Sequence, residues 1–155
     1  MNFIELDEDV YDHIRNYQKA IVAFFNENFT MQTVFIETSI SSDKFVPHAY
    51  LDCVGVPNDL ESEFDIELYF RKSLLEDDSE WGTHKKLIDT KTKKGHIAKC
   101  IPRGGSFNYV HVDFNATGGF AHVIEDSTKY TMTKALEVLG GAIGHELVNL
   151  NIPMR

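Results

Sequence analysis

Apolar residues recur at helical spacing near the N-terminus. From residue 7 to about residue 26 they return every three or four positions, which is the pattern of an amphipathic helix. Glu8 and Asp9 fall in the first turn, where carboxylates interact favourably with the positive end of the helix dipole. The sequence therefore predicts a long first helix with one apolar stripe, formed by Val10, Ile14, Tyr17, Ile21 and Phe24 or Phe25.

Runs of β-branched and aromatic residues then predict two strands, at residues 33–38 and 49–56. A short polar loop separates them and Pro57 closes the second, so we expect an antiparallel pair. Asp65 can cap a second helix that runs to about residue 75. A third helix is expected from residue 131 to about residue 143, interrupted by Gly140 and Gly141 because glycine disfavours helix interiors.

Two alternating runs, residues 109–114 and 119–126, flank a glycine turn and predict a β-hairpin. With the tightest pairing across residues 115–118, Phe114 lies opposite Gly119, Asp113 opposite Phe120 and His111 opposite His122. Both histidines and Asp113 would then share one face of the hairpin. The other face would be apolar, with Val110, Val112, Phe114, Ala121 and Val123.

Three interpretations of His111, Asp113 and His122 stay open. Two imidazoles and one carboxylate suit zinc only with a fourth ligand, which the sequence does not supply. Protonated imidazoles would favour contact with phosphate or RNA. A hydrogen-bonded structural pair or an interface requires no ligand. These three residues are therefore candidates for catalysis without a firm assignment, and we expect neither a bound metal nor a cofactor.

Charge restricts the partners of the chain. Its 155 residues are 43% hydrophobic and carry a formal net charge of −9, which suits one globular domain and argues against nucleic-acid binding through overall positive potential. Any such contact must be local, and the basic residues concentrate after residue 80. Cations beside an aromatic ring suit single-stranded RNA, whereas the simpler alternative is a solvated basic face. The candidate RNA contacts are Trp81, His84, Lys85, Lys86, Lys94, Lys99 and Arg103.

Six segments of the sequence form a specific combination. The most specific are Trp81, His84 and Lys85-Lys86 followed by Leu87-Ile88-Asp89, and the run at residues 119–126 that contains His122-Val123-Ile124-Glu125-Asp126. The others are residues 5–11, 35–38, 69–72 and 101–104. Together the six segments resemble the C-terminal region of the CwfJ family of spliceosome-associated proteins. The resemblance implies an α+β fold with an antiparallel sheet and packed helices. A histidine-triad-like half at residues 1–60 would precede a second CwfJ module, with strand-strand-helix order, at residues 61–155.

The resemblance also implies a function. In a histidine-triad enzyme three alternating histidines serve nucleotidyl transfer, and the matching positions here are His48, Tyr50 and Asp52, so the nucleophile position holds tyrosine. We therefore expect a noncatalytic, nuclear pre-mRNA splicing component in late or intron-lariat complexes. The alternatives are a phosphodiester hydrolase that processes lariats with His111 and His122, and a pure protein-docking module.

The same resemblance indicates the partners. We expect spliceosomal proteins and intron-lariat or small nuclear RNA, with a lariat debranching enzyme or a disassembly helicase as further candidates. A membrane is not expected, because no apolar run approaches spanning length.

Overall fold

Five antiparallel strands form one sheet that carries helices on both faces. The computed structural model describes residues 2–41, 48–58, 65–77, 87–92, 96–101 and 107–144. The strands are β1 (Met31–Ser39), β2 (Asp52–Pro57), β3 (Ile88–Asp89), β4 (Asn108–Phe114) and β5 (Gly119–Ile124), in the order β2-β1-β4-β5-β3. The helices are α1 (Glu8–Phe29), α2 (Ile66–Asp77) and α3 (Lys134–Ala142). The predicted α+β class is confirmed, as is the antiparallel pairing of β1 with β2.

The first helix lies where its spacing predicted it and extends one turn further, to Phe29. It ends at Thr30, whose left-handed backbone lets its N–H bond the Asn26 carbonyl. The side that α1 turns to the sheet carries Tyr11 and Gln18, which are both buried. The apolar stripe lies to one side of this contact, so Tyr17 and Phe24 are 74% and 54% exposed.

The second helix confirms its predicted cap. The Asp65 carboxylate accepts hydrogen bonds from the backbone N–H groups of Glu67 and Leu68, at 3.0 and 3.1 Å. These groups have no partner within the helix, so the cap stabilises its first turn. Phe70 and Leu74 project from α2 into the core and are fully buried.

The expected interruption of the third helix is wrong, because α3 continues through both glycines to Ala142. Packing against α2 explains the difference. A Cβ atom added at Gly141 would lie 3.2 Å from the Tyr69 hydroxyl, so glycine permits the close approach of these two helices. Tertiary contact therefore outweighs the low helix propensity of glycine.

The face of the sheet under α2 and α3 is a continuous apolar core. The rings of Phe70, Phe114 and Phe120 meet there with centroids 5.9 to 6.5 Å apart. Edge and tilted contacts of this kind add to the stabilisation from burial. The same cluster also contains Val34, Ile36, Val110, Val112, Ile124, Ala135 and Leu139.

The hairpin of β4 and β5 has a different register from the predicted one. Asp113 pairs with Gly119 and His111 pairs with Ala121, whereas His122 lies opposite Val110. The prediction assumed a four-residue loop, but Phe114 N–H bonds the Gly118 carbonyl, which leaves three residues in the loop. A slip of one residue turns every β5 side chain to the other face. His122 therefore points away from His111 and Asp113, and Ala121 and Val123 share the face of His111.

The sheet joins the two predicted segments of the chain. β1, from residues 1–60, pairs with β4, from residues 61–155, along six residue pairs from Val34↔Phe114 to Ser39↔Tyr109. The boundary between the segments stays a prediction. Within the described ranges, no helix combines the length and apolar content that a membrane crossing requires.

Candidate ligand site between the first helix and the sheet

A cavity of about 440 Å³ lies between α1, the β4–β5 turn and the segment that follows β3. Its position follows from the crossing of α1 over the sheet. Phe25, near the end of α1, packs on Gly55 of the edge strand β2, whereas Arg15 reaches the central strand β4. Polar and apolar side chains both line it: Tyr11, Asp12, Arg15, Lys19, Thr90, Lys91, Ile97, Cys100, His111 and Asp113, with residues 116–118.

One wall of the cavity is an ion pair that attaches α1 to the hairpin. Arg15 donates to the Asp113 carboxylate at 2.5 Å and to the Ala116 carbonyl at 2.5 Å. Its guanidinium also bonds the Gln18 side chain, and the second Asp113 oxygen accepts the Gly118 N–H at 3.3 Å. Charge and hydrogen bonds are thus satisfied within the wall, as a buried carboxylate requires.

His111 forms the floor and is neutral. Burial lowers its pKa to about 4, and the nearby Asp113 carboxylate only partly offsets this effect. Its Nε2 atom lies 3.3 Å from the Thr90 hydroxyl, which also accepts the Gly119 N–H at 2.9 Å. The histidine is 7% exposed, and that remaining exposure faces the cavity that it lines.

Two lysines stand at the rim. Lys19 projects from the exposed side of α1 and makes no ion pair with any residue that the structure describes. Lys91 donates to Glu67 of α2 at 2.5 Å while remaining 42% exposed. The rim also holds the exposed Asp12, so Lys19 is the rim lysine that has no ion-pair partner among the described residues.

Glu37 of β1 is a second buried titratable group. It is the cross-strand neighbour of His111 on the same face of the sheet. Its Oε1 atom accepts the Phe3 N–H at 2.9 Å and the Tyr109 hydroxyl at 2.7 Å. Burial raises the pKa of Glu37 to about 7, although both hydrogen bonds act in the opposite direction. Oε2 has no hydrogen-bond partner among the described residues. Glu37 thus anchors the N-terminal segment to the sheet.

The remaining histidines of interest lie elsewhere. His122 is buried on the α2–α3 side and donates from Nδ1 to the Val123 carbonyl at 2.7 Å. The predicted face shared by His111, Asp113 and His122 is therefore wrong, and only His111 and Asp113 come together. The positions matched to the histidine triad are also apart from the cavity. His48 and Tyr50 are exposed and precede β2, and Asp52 begins that strand. Partial burial raises the pKa of the Asp52 carboxyl group. In the parts of the chain that the structure describes, no three His, Cys, Asp or Glu side chains group as metal ligands.

Comparison with known proteins accounts for most of the sequence. The family model described as "Protein similar to CwfJ C-terminal" matches residues 1–71, and the one described as "Protein similar to CwfJ C-terminus 2" matches residues 80–148. The chain belongs to the CwfJ family. The resemblance inferred from the six segments is thereby confirmed.

This CwfJ chain is similar to relatives named CWF19-like protein 2 and pre-mRNA-splicing factor cwf19. It is 38% identical to CWF19-like protein 2 of Homo sapiens over 141 residues, which cover 91% of the chain and 15% of that relative. It is 36% identical to CWF19-like protein 2 of Danio rerio over 150 residues, or 97% of the chain and 15% of the relative. It is 33% identical to pre-mRNA-splicing factor cwf19 of Schizosaccharomyces pombe over 131 residues, which cover 81% of the chain and 20% of that relative. The chain thus spans about a sixth of the first of these relatives.

Most predicted RNA contacts of the CwfJ chain lie outside the described residues, namely Trp81, His84, Lys85, Lys86, Lys94 and Arg103. Lys99 is described, and its ammonium lies 3.6 Å from the Glu8 carboxylate at the start of α1. The cavity instead brings together residues that the sequence analysis did not select, above all Arg15, Lys19 and Thr90. No clear signal in the sequence marks them, because Arg15 and Gln18 are two of many polar residues in an amphipathic helix.

Proposed function

We propose that this chain is a noncatalytic module of a pre-mRNA splicing factor, acting in the nucleus within late or intron-lariat spliceosomal complexes. The names of its relatives support a role in splicing, because the alignments extend over 81% to 97% of the chain. Its expected ligands are RNA and spliceosomal proteins. The RNA is an intron lariat or a small nuclear RNA.

One observation supports the RNA contact: two described lysines of the basic segment lie near α1. Lys91 lines the cavity together with Lys19 of α1, and Lys99 reaches Glu8 on the same helix. Lysines so placed would hold phosphates rather than select bases.

The acidic composition of the chain limits the affinity of this contact. A net charge of −9 repels a polyanion at long range, so binding depends on a few local lysines and weakens with salt. Such a contact becomes effective when other subunits of a large assembly hold the RNA nearby, because they raise its effective concentration. Tight binding of the isolated chain to unrelated RNA at high salt would contradict this proposal.

Crosslinking of RNA to the full-length protein in cells tests the contact. The double variant Lys85→Glu with Lys86→Glu reverses charge in the basic segment, and Lys19→Glu does so on α1. We expect both to lose most of the crosslinked RNA. Lys72→Glu is the matched control, because Lys72 is exposed on α2 at the other side of the sheet. Crosslinks that persist in both variants at the level of the control would reject this RNA surface.

The hydrolase alternative loses its structural basis in the hairpin register. His111 and His122 lie on opposite faces of the sheet, so one substrate cannot contact both. We expect no cleavage of a branched RNA by the purified chain. Cleavage that disappears when His111 and His122 are replaced by alanine would restore the enzymatic interpretation.

Protein docking is a second candidate function, supported by the exposed stripe of α1. Val10, Tyr17 and Phe24 are 45%, 74% and 54% exposed along one side of this helix. Apolar side chains in such a row typify interaction surfaces. Spliceosomal proteins are the expected partners, including a lariat debranching enzyme or a disassembly helicase. Tyr17→Ser with Phe24→Ser should reduce recovery of the splicing complex while RNA crosslinks persist, and unchanged recovery would exclude docking at this stripe.

A further inference from the structure

We propose, on the basis of the RNA-binding function just proposed, that the cavity beside α1 receives a single unstacked nucleotide of the bound RNA. The phosphate lies at the rim beside Lys19, and the nucleoside enters as far as His111. This assigns a defined ligand site to a part of the chain that lies apart from His48, Tyr50 and Asp52.

The first support is an unused hydrogen-bonding atom in the floor. His111 is 93% buried, being 7% exposed, and its Nε2 atom contacts Thr90. Its Nδ1 atom makes no hydrogen bond to any residue that the structure describes. Nδ1 is not one of the fully buried atoms that lack a partner, so it keeps access to the cavity that His111 lines, where a ligand can bond it.

The contacts of Thr90 indicate what kind of bond His111 offers. The Thr90 hydroxyl oxygen accepts the Gly119 N–H at 2.9 Å, which leaves its own hydrogen available to the Nε2 atom of His111. An imidazole that accepts at Nε2 and is neutral carries its proton on Nδ1. With Thr90 as the donor, His111 presents an N–H group to the cavity, which suits the carbonyl oxygens and ring nitrogens of nucleobases. In the other tautomer Nδ1 is an acceptor, which suits their amino groups.

Charge at the rim selects the phosphate. Arg15 and Asp113 neutralise each other and are held by Gln18, Ala116 and Gly118, so they form a fixed wall. Lys19 has no ion-pair partner among the described residues. Lys91 shares its charge with Glu67, and Asp12 is exposed to water, where its repulsion is screened. Lys19 is therefore the cation that a phosphate at this rim would contact.

The volume and the lining of the cavity favour a ligand larger than a bare phosphate. Its volume of about 440 Å³ falls within the range of roughly 300 to 1,000 Å³ that small-molecule sites occupy. Tyr11, Ile97 and Cys100 supply apolar surface between the rim and the floor. An unstacked base requires such surface to replace the neighbours that it leaves in the RNA.

Titration of the complete 155-residue chain, followed by NMR, tests the proposal. The probes are the four nucleoside 5′-monophosphates, the matching nucleosides and inorganic phosphate. We expect at least one monophosphate to shift the His111 ring and Gly118 amide signals and to bind about tenfold more tightly than its nucleoside, as a charge-assisted contact implies. Lys19→Glu should weaken this binding about tenfold, and Lys72→Glu should leave it unchanged.

Two results would overturn the site. One is the absence of shifts at His111 with every monophosphate, and the other is equal binding by the Lys19→Glu variant and its control. His111→Gln is a second variant, since its amide keeps a donor with less bulk, and its thermal unfolding midpoint verifies folding. A folded His111→Gln variant that binds like the wild type would also reject contact with the floor.

A separate measurement distinguishes failure of the nucleotide site from failure of RNA binding itself. If single-stranded RNA binds and Lys85→Glu with Lys86→Glu weakens it, while no monophosphate shifts His111, the RNA surface stands and the cavity proposal is wrong. If neither RNA nor a monophosphate binds the chain, both proposals fail.

Discussion

Under α2 and α3 the sheet presents an almost purely apolar surface, whereas under α1 it presents Glu37, Tyr109, His111 and Asp113. The first surface is closed by packed aromatic rings. The second contains an ion pair, several titratable groups with strongly shifted pKa values, among them Glu37 and His111, and a cavity. Both surfaces belong to the same five strands, so alternation along each strand separates them.

The difference indicates which side serves a ligand. Burial of polar groups stabilises a fold less than burial of well-packed apolar groups of the same size, and an unsatisfied polar atom destabilises it. Fully buried side-chain atoms without a hydrogen-bond partner among the described residues occur on both sides, for example Glu37 Oε2 on the α1 side and Arg71 Nε on α2. The features that distinguish the α1 side are therefore its ion pair and its cavity, which recognition of a polar ligand would use.

Phe70→Ala on the apolar side should have the largest effect on stability. The ring is fully buried against Phe114 and Phe120, so its loss leaves a cavity and should lower the free energy of unfolding by about 3 to 5 kcal/mol. Urea unfolding measures the change. Phe24→Ala is the matched control, because the exposed ring should contribute less than about 0.5 kcal/mol. Equal losses in the two variants would contradict the assignment of the core.

Arg15→Met tests the wall of the cavity. Removal of the guanidinium leaves the Asp113 carboxylate buried without its counter-charge and should cost about 2 to 3 kcal/mol, below the full value for a buried pair because Arg15 is partly exposed. Addition of Asp113→Asn should recover part of this loss, which a double-mutant cycle measures. A single-variant loss under about 0.5 kcal/mol would show that the pair behaves as a surface contact.

The two buried titratable groups should give opposite pH dependences. The pKa of Glu37 is raised from 4.5 to about 7, so the folded state binds its proton more tightly and the Glu37 contribution to stability falls as pH rises through that window. The pKa of His111 is lowered from 6.5 to about 4, so its contribution is present above pH 6.5 and is lost as pH falls towards 4.

Glu37→Gln removes one of these opposing contributions, so the pH dependence of stability that His111 causes should become visible. Between pH 4.5 and 6.5 the stability of this variant should rise with pH more steeply than that of the wild type, by up to about 1.4 kcal/mol per pH unit. Urea unfolding at several pH values measures the difference between the two proteins. A difference that does not change with pH would mean that Glu37 titrates at its ordinary value when folded.

The smallest effect should come from Glu67→Gln, which removes the ion pair that Lys91 makes with Glu67 at the edge of the sheet. Both side chains are partly exposed, so stability should change by less than about 1 kcal/mol. The freed ammonium can then turn to the cavity, and nucleotide affinity should rise about twofold. Weaker nucleotide binding in this variant would contradict a phosphate at the rim.

Local patterns in the sequence predicted the elements of the fold, because spacing and capping act within a few residues. Helix α1 and the Asp65 cap of α2 lie where these signals placed them. The hairpin register was not predictable in this way. It depends on the left-handed conformations of Asn115 and Ala116, and on two backbone-linked hydrogen bonds between Asn115 and Thr33 of β1. That contact connects residues 82 positions apart in the chain.

The candidate site was hidden for the same reason. Arg15, Lys19, Thr90 and His111 come from three separate stretches of the chain, and no short motif contains them. Asp113 was selected from its position beside His111 on one strand, where alternation is reliable, and this pair does share a face. His122 was assigned to that face through the turn, where an error of one residue reverses the result.

The bond from Arg15 to Asp113 joins residues 98 positions apart, and that separation has a consequence for the order of events during synthesis. Helix α1 leaves the ribosome nearly 100 residues before the carboxylate that neutralises its arginine. Until then Arg15 lacks its counter-charge, and α1 can pack only on β1 and β2. A nascent chain stalled before residue 113 should therefore expose this helix to chaperones, and the N-terminal part should acquire protease resistance only once the hairpin has emerged.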